Sequence, residues 1–205
     1  ANPDYADNMF GISDSYFNSD FWYRRTFSLP KEMAGQRVLL NFDGINWKAD
    51  VWVNGKKIDR IEGAFTRSVA DITPYLNGGG NTLAVLIHKN AHPGAIKEKN
   101  HLNTDFNGGI LGADNPTFHA TIGWDWISTI RGRDIGIWND VYLTSTASVT
   151  LADPVVSTRF DNLPDTLATM TPRVLAHNWL DKEVSGTLRG WIGNLKYEKD
   201  STLKA

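Results

Sequence analysis

Trp47-Lys48-Ala49-Asp50-Val51-Trp52-Val53-Asn54-Gly55-Lys56-Lys57-Ile58 is the stretch that decides the fold. In an extended chain Trp47, Ala49, Val51 and Val53 share one face, while Lys48, Asp50 and Trp52 share the other. That alternation suits a half-buried strand. Asn54-Gly55 follows at once, and Lys56-Lys57-Ile58 leads back. Asn-Gly between such runs is the strongest short hairpin signal, because both central residues take positive φ.

The same pattern continues on either side. Upstream, Phe21 to Phe27 reads as a strand ended by Pro30, and Gln36 to Phe42 as another. Downstream, Asp71 to Leu76 reads as one helical turn, with Thr73 as N-cap and Pro74 at the first helical position. Asn77 to Asn81 is a tight reversal, Leu83, Val85 and Ile87 mark a strand, and Asp140 to Leu143 marks the closing one. Residues 89–120 have no periodicity, and a connection that long in a compact domain is usually functional. A second unit is expected to begin at Asp153-Pro154, with strands at Val155 to Phe160, Leu167 to Ala176 and Val184 to Ile192. Trp179 and Trp191 are expected in its core. Three or four strands are too few for a complete sandwich. The expected division is 1–152 and 153–205.

Composition narrows the function. The chain of 205 residues carries a net charge of −2 without a basic run, which argues against a nucleic-acid footprint. No apolar stretch is long enough to span a bilayer. Cysteine is absent, which excludes disulfides and thiolate metal sites. The abrupt start at Ala1-Asn2-Pro3 suggests a processed or trimmed product.

Gly123-Trp124-Asp125-Trp126, a polar loop and Gly136-Ile137-Trp138 concentrate three indoles and a carboxylate in sixteen residues. An indole offers a broad apolar face and one donor. A sugar has a C–H face and a rim of hydroxyls, so the pairing suits it. The alternative is that the rings fill the core and Asp125 caps a turn.

Nothing in the sequence announces catalysis. Retaining glycoside hydrolysis needs two carboxyl groups roughly 5–5.5 Å apart, one of them protonated near neutral pH. Glu32, Glu62, Glu98, Glu183 and Glu198 share no obvious site and read as solvated charges. Asp125 with Asp134 is the remaining pair. His88 and His92 lack the helix that a metal pair at that spacing requires. No cofactor is expected. Asp50 and Arg67 are expected to form a structural pair.

The ordered set Trp22-Tyr23-Arg24-Arg25-Thr26-Phe27, Phe42-Asp43-Gly44-Ile45-Asn46, Ala49 to Gly55, Gly63-Ala64-Phe65-Thr66, Asp71-Ile72-Thr73 and Asn81 to Val85 resembles the N-terminal sugar-binding domain of glycoside hydrolase family 2. Gly123 to Trp126 with Gly136 to Val141 is most similar to its β-mannosidase and exo-β-glucosaminidase branch. The chain has Ile127-Ser128 where mannosidases often carry Gly-Pro, so the sugar stays open. The resemblance implies an all-β chain, a galactose-binding-like jelly roll followed by the opening of an immunoglobulin-like sandwich. It implies that Trp124, Asp125 and Trp126 touch a terminal β-linked sugar. It also implies a parent enzyme whose (β/α)8 barrel, absent here, carries both catalytic glutamates. The fragment alone is then a non-catalytic carbohydrate-binding piece of a retaining exo-β-glycosidase. Partners are carbohydrate and that barrel, with neither nucleic acid nor membrane, and the expected setting is the bacterial periplasm or exterior. The alternatives are an autonomous carbohydrate-binding module and a structural or protein-interaction jelly roll.

Overall fold

The structure, a computed structural model, describes residues 13–93, 95–96, 109–110, 135–160 and 167–205. Their regular elements are β-strands and short 3-10 turns. The chain forms two compact units, residues 1–144 and 145–205.

In the first unit the strands are β1 (Phe21–Ser28), β2 (Arg37–Phe42), β3 (Ile45–Asn46), β4 (Lys48–Val53), β5 (Lys56–Glu62) and β6 (Ser68–Asp71). They are followed by β7 (Gly80–Ile87), β8 (Ala95–Ile96), β9 (Gly109–Ile110), β10 (Gly136–Ile137) and β11 (Val141–Thr146). One sheet runs β1-β7-β4-β5, antiparallel throughout. A second runs β11-β2-β6, and β3 pairs with β10. The core lies between the sheets. Val38, Leu40 and Phe42 meet Ala49, Val51, Val53, Ile61, Val85 and Ile87 there, all buried. This is a β-sandwich, filled from the inward faces of alternating strands.

The Asn54-Gly55 turn forms as the sequence predicts. Val53 pairs with Lys56, and φ is +50° at Asn54 and +79° at Gly55, the signs of a type I′ turn. Asn54 does more than turn the chain. Its Nδ2 donates to Tyr75 O (2.8 Å) and Asn81 Oδ1 (2.7 Å), and its Oδ1 accepts from Thr82 N (2.9 Å). The hairpin is thereby tied to the Asn77–Asn81 reversal, where Asn81 Oδ1 also accepts from Asn77 N (2.8 Å).

Two local details differ from the sequence expectation. The turn at Thr73–Tyr75 is 3-10, and Ile72, not Thr73, is its N-cap. Thr73 N instead donates to Asp71 Oδ1 (3.0 Å), while Val38 N donates to Thr73 Oγ1 (2.8 Å), so the hydroxyl is spent on fastening the turn to β2. Asp50 pairs with Lys57 and His88, not Arg67. The register explains this: Asp50 stands on the outer sheet face, where β5 and the end of β7 bring Lys57 and His88 to it.

The second unit holds β12 (Val149–Arg159), β13 (Thr169–Asn178), β14 (Val184–Ile192) and β15 (Leu195–Leu203). They pair as β12-β13 and β14-β15, both antiparallel. Asp153-Pro154 lies inside β12, at a bulge where the register shifts between Ala152 and Val155 and Asp153 has φ +50°. A proline has no N–H for the ladder, and a bulge is one of the few places in a strand that tolerates it. The two-residue turn Gly193-Asn194 joins β14 to β15, with φ +57° at the glycine. Trp191 is 75% exposed, against the expectation of a core role. Period-2 alternation puts it on the face opposite Leu188 and Ile192. Trp179 is the anchored tryptophan, its Nε1 donating to Thr150 Oγ1 (3.0 Å).

Candidate functional site

The long aperiodic stretch leaves the sandwich after β7 and returns through β10. Both ends are fastened at the same place, the Asn46-Trp47-Lys48 corner between β3 and β4. On the outgoing side His88 N donates to Lys48 O (3.0 Å), and Trp47 Nε1 donates to Asn90 Oδ1 (3.1 Å). On the return, Gly136 pairs with Asn46 and Ile137 with Ile45. Trp138 N and Asn139 N then both donate to Gly44 O, at 3.2 and 3.4 Å. Asn46 and Asn90 are buried, as suits amide side chains placed among backbone polar groups.

The return end is locked by an indole. Trp138 Nε1 donates to Ala64 O (3.0 Å), and its ring stands edge-on to Phe65 with centroids 6.1 Å apart. That ring lies directly over Gly44, where any Cβ would collide with it. Gly136 is needed for a different reason. Its φ is +142°, and the Tyr23 hydroxyl lies 3.0 Å from where a Cβ would stand. Phe65 is 65% exposed and Trp138 45%, so one edge of the clamp presents aromatic surface to solvent.

Trp124, Asp125 and Trp126, the expected sugar contacts, lie outside the described residues, as does Asp134. The structure places the two ends of the stretch that bears them and the Trp138 anchor. Asn90 and Phe65 were missed by sequence reasoning. Neither has a periodic signal; they are found only when β7, β3 and the residues after β5 meet in space.

Among the described residues, the carboxylates with a shifted pKa, Glu62 and Asp50, are moved in the wrong direction for a general acid. Glu62 lies 2.7 Å from Arg60 Nη2 and 3.5 Å from Lys48 Nζ. The Arg60 hydrogen bond, aided by Lys48, holds its pKa below the usual range. Desolvation pushes Asp50 upward, but Lys57 and His88 outweigh it and the net shift is down. Tyr142 is raised by desolvation and the nearby Asp43. A catalytic acid needs a raised carboxyl pKa. A cavity of about 550 Å³ between β1 and β11 is lined by Tyr23, Phe27, Leu83, Ile137 and Tyr142 with Arg25. Its mainly apolar walls bring few polar groups together to hold a polyol.

Residues 1–139 match the family model for the glycosyl hydrolase 2 galactose-binding-like domain. The chain belongs to this family. The family 2 domain is 39% identical to a mannosylglycoprotein endo-beta-mannosidase of Lilium longiflorum over 166 residues, covering 78% of this chain and 17% of that protein. It is 30% identical to an exo-beta-D-glucosaminidase of Streptomyces avermitilis, covering all of this chain and 20% of that one. Among solved structures, the exo-chitosanase CsxA of Amycolatopsis orientalis shares the fold, with TM-score 0.73 at 24% identity, over the whole chain and 22% of its own length. The family 2 domain thus spans about a fifth of the length of these relatives. They are glycoside hydrolases, and this chain corresponds to their N-terminal part.

Proposed function

We propose that the chain is the non-catalytic, carbohydrate-binding N-terminal part of a retaining exo-β-glycosidase of the β-mannosidase, exo-β-glucosaminidase or β-galactosidase type. In the whole enzyme Trp124, Asp125 and Trp126 line the pocket for the terminal sugar, and a (β/α)8 barrel further along supplies both catalytic carboxylates. The second unit, residues 145–205 with Asp153-Pro154 inside its first strand, opens an immunoglobulin-like sandwich. The observation that carries this reading is the match along the entire chain to an exo-glucosaminidase five times as long. The clamp at Asn46-Trp47 supports it: the stretch whose sequence carries the indole-rich motif is fastened at both ends to one corner.

A second reading, endo rather than exo action, is favoured by the lily relative, which is named as endo-acting. Assaying aryl β-mannoside, β-glucosaminide and β-galactoside hydrolysis by this chain and by the full-length protein separates the possibilities. The chain is expected to be inert and the full-length protein active. Turnover by the 205-residue chain overturns the non-catalytic assignment. Cleavage of internal linkages in an oligosaccharide, without release of terminal sugar, overturns exo action.

A further inference from the structure

The outer face of the β1-β7-β4-β5 sheet carries a cluster that the corner clamp does not use. Strand register builds it. Trp22, Leu86 and Asp50 form one row across β1, β7 and β4, and Arg24, Ala84 and Trp52 form the next. The small Ala84 lets the two indoles approach across β7. Their centroids are 5.1 Å apart with the planes tilted by 42°. Trp22 nonetheless stays 61% exposed, so the pair presents open ring surface to solvent.

Charged groups border the pair, and most are already matched. Asp50 lies 2.7 Å from Lys57 Nζ and 3.1 Å from His88 Nε2. Lys57 Nζ also sits 5.7 Å from the centre of the Trp52 ring. Glu62 is held between Lys48 and Arg60. Arg24 makes no ion pair among the described residues, so it is a surplus cation beside the indoles. The face is therefore an apolar surface bordered by charged N–H donors, with an excess of positive charge.

We propose that this face binds an uncharged β-linked oligosaccharide, with Trp22 and Trp52 under the sugar C–H faces and Arg24 and Lys57 donating to hydroxyls. Open indoles match the apolar faces of pyranose rings. A guanidinium offers five donors in a rigid fork, which suits vicinal hydroxyls. The same cations repel the ammonium groups of a glucosamine polymer, so neutral chains are preferred. The ligand class rests on the glycosidase reading; the location rests on the sheet face alone.

The test is an NMR titration of the 205-residue chain with a linear β-mannan hexamer and a chitosan hexamer. Saturable binding of the mannan hexamer is expected, with the chitosan hexamer weaker. Trp22→Ala is expected to weaken the mannan affinity at least tenfold, and Arg24→Ala at least threefold, with unchanged melting temperatures confirming the fold. Trp191→Ala, at an exposed indole of the second unit, is expected to leave that affinity within twofold. No saturation with the mannan hexamer, or full affinity in both Trp22→Ala and Arg24→Ala, overturns the proposal. Binding lost in Trp124→Ala but kept in Trp22→Ala also overturns it, while leaving the glycosidase reading intact. Stronger binding of the chitosan hexamer refutes the preference for neutral chains.

Discussion

Replacing Gly44 with alanine tests the clamp at its tightest point. A Cβ there overlaps the Trp138 ring, with Cζ2 and Nε1 each 2.7 Å away. The backbone cannot easily yield, because Gly44 O accepts from both Trp138 N and Asn139 N. The ring cannot easily yield either. Swinging it away breaks the Nε1 bond to Ala64 O, about 1 kcal/mol. It also loses the edge contact with Phe65, about 0.5–1.5 kcal/mol. Overpacking of this kind costs about 1–3 kcal/mol in general. We expect Gly44→Ala to destabilise the protein by about 2–3 kcal/mol, a fall of roughly 4–12 °C in melting temperature for a domain of this size. Gly78→Ala is the control: nothing lies within 4 Å of its Cβ position, and its φ is ordinary. Its effect is expected within about 0.5 kcal/mol. Urea unfolding followed by circular dichroism measures both. The decisive arm is a double-mutant cycle. In a Trp138→Ala background the clash is gone, so Gly44→Ala should cost less than about 0.5 kcal/mol there. An equal cost in both backgrounds refutes the reasoning.

Three further expectations follow from the same geometry. Asn54→Ala removes three side-chain hydrogen bonds and puts alanine at φ +50°, so a loss of about 3 kcal/mol is expected in urea unfolding. Asp50 has a folded pKa below its ordinary 3.8, so its contribution is present above that value and is lost as pH falls through the lower folded value. Asp50→Asn should therefore cost about 1 kcal/mol at neutral pH, the cost shrinking below about pH 4; an unchanged cost at pH 2.5 counts against the ion pairs. Gly136→Ala forces a side chain into φ +142° against the Tyr23 hydroxyl. It should cost about 1–3 kcal/mol, and Tyr23→Phe should recover part of that loss.

The sandwich was legible wherever a strand alternates in full. The β4-β5 hairpin declares itself through four inward apolar positions and Asn-Gly, and β1, β2 and β7 through similar runs. β6 is only Ser-Val-Ala-Asp, too short to show a period. Asp153-Pro154 read as punctuation because proline usually ends a strand, yet a bulge accommodates it within β12. The Asp50 partners were hidden because His88 is 38 residues away in the chain and meets it only through the β4-β7 pairing. Of the site, the indole at 138 stood out in the sequence as part of the aromatic motif, but its anchoring bond to Ala64 O did not. Its partners Gly44, Ala64 and Phe65 come from two other connections that no local pattern links to it. Trp124, Asp125 and Trp126 rest on residue chemistry and family resemblance.

Fastening both ends of residues 89–135 to a single corner makes that region behave like a graft on a stem. Among the described residues, the stem is built by His88 and Asn90 on one side and Gly136 to Trp138 on the other. Closing a flexible connection costs little more as it lengthens, about 0.6 kcal/mol for each doubling. Insertions, deletions or exchanges between the two stitches can therefore be accepted without unsettling the sandwich beneath, provided the stitches themselves are copied unchanged.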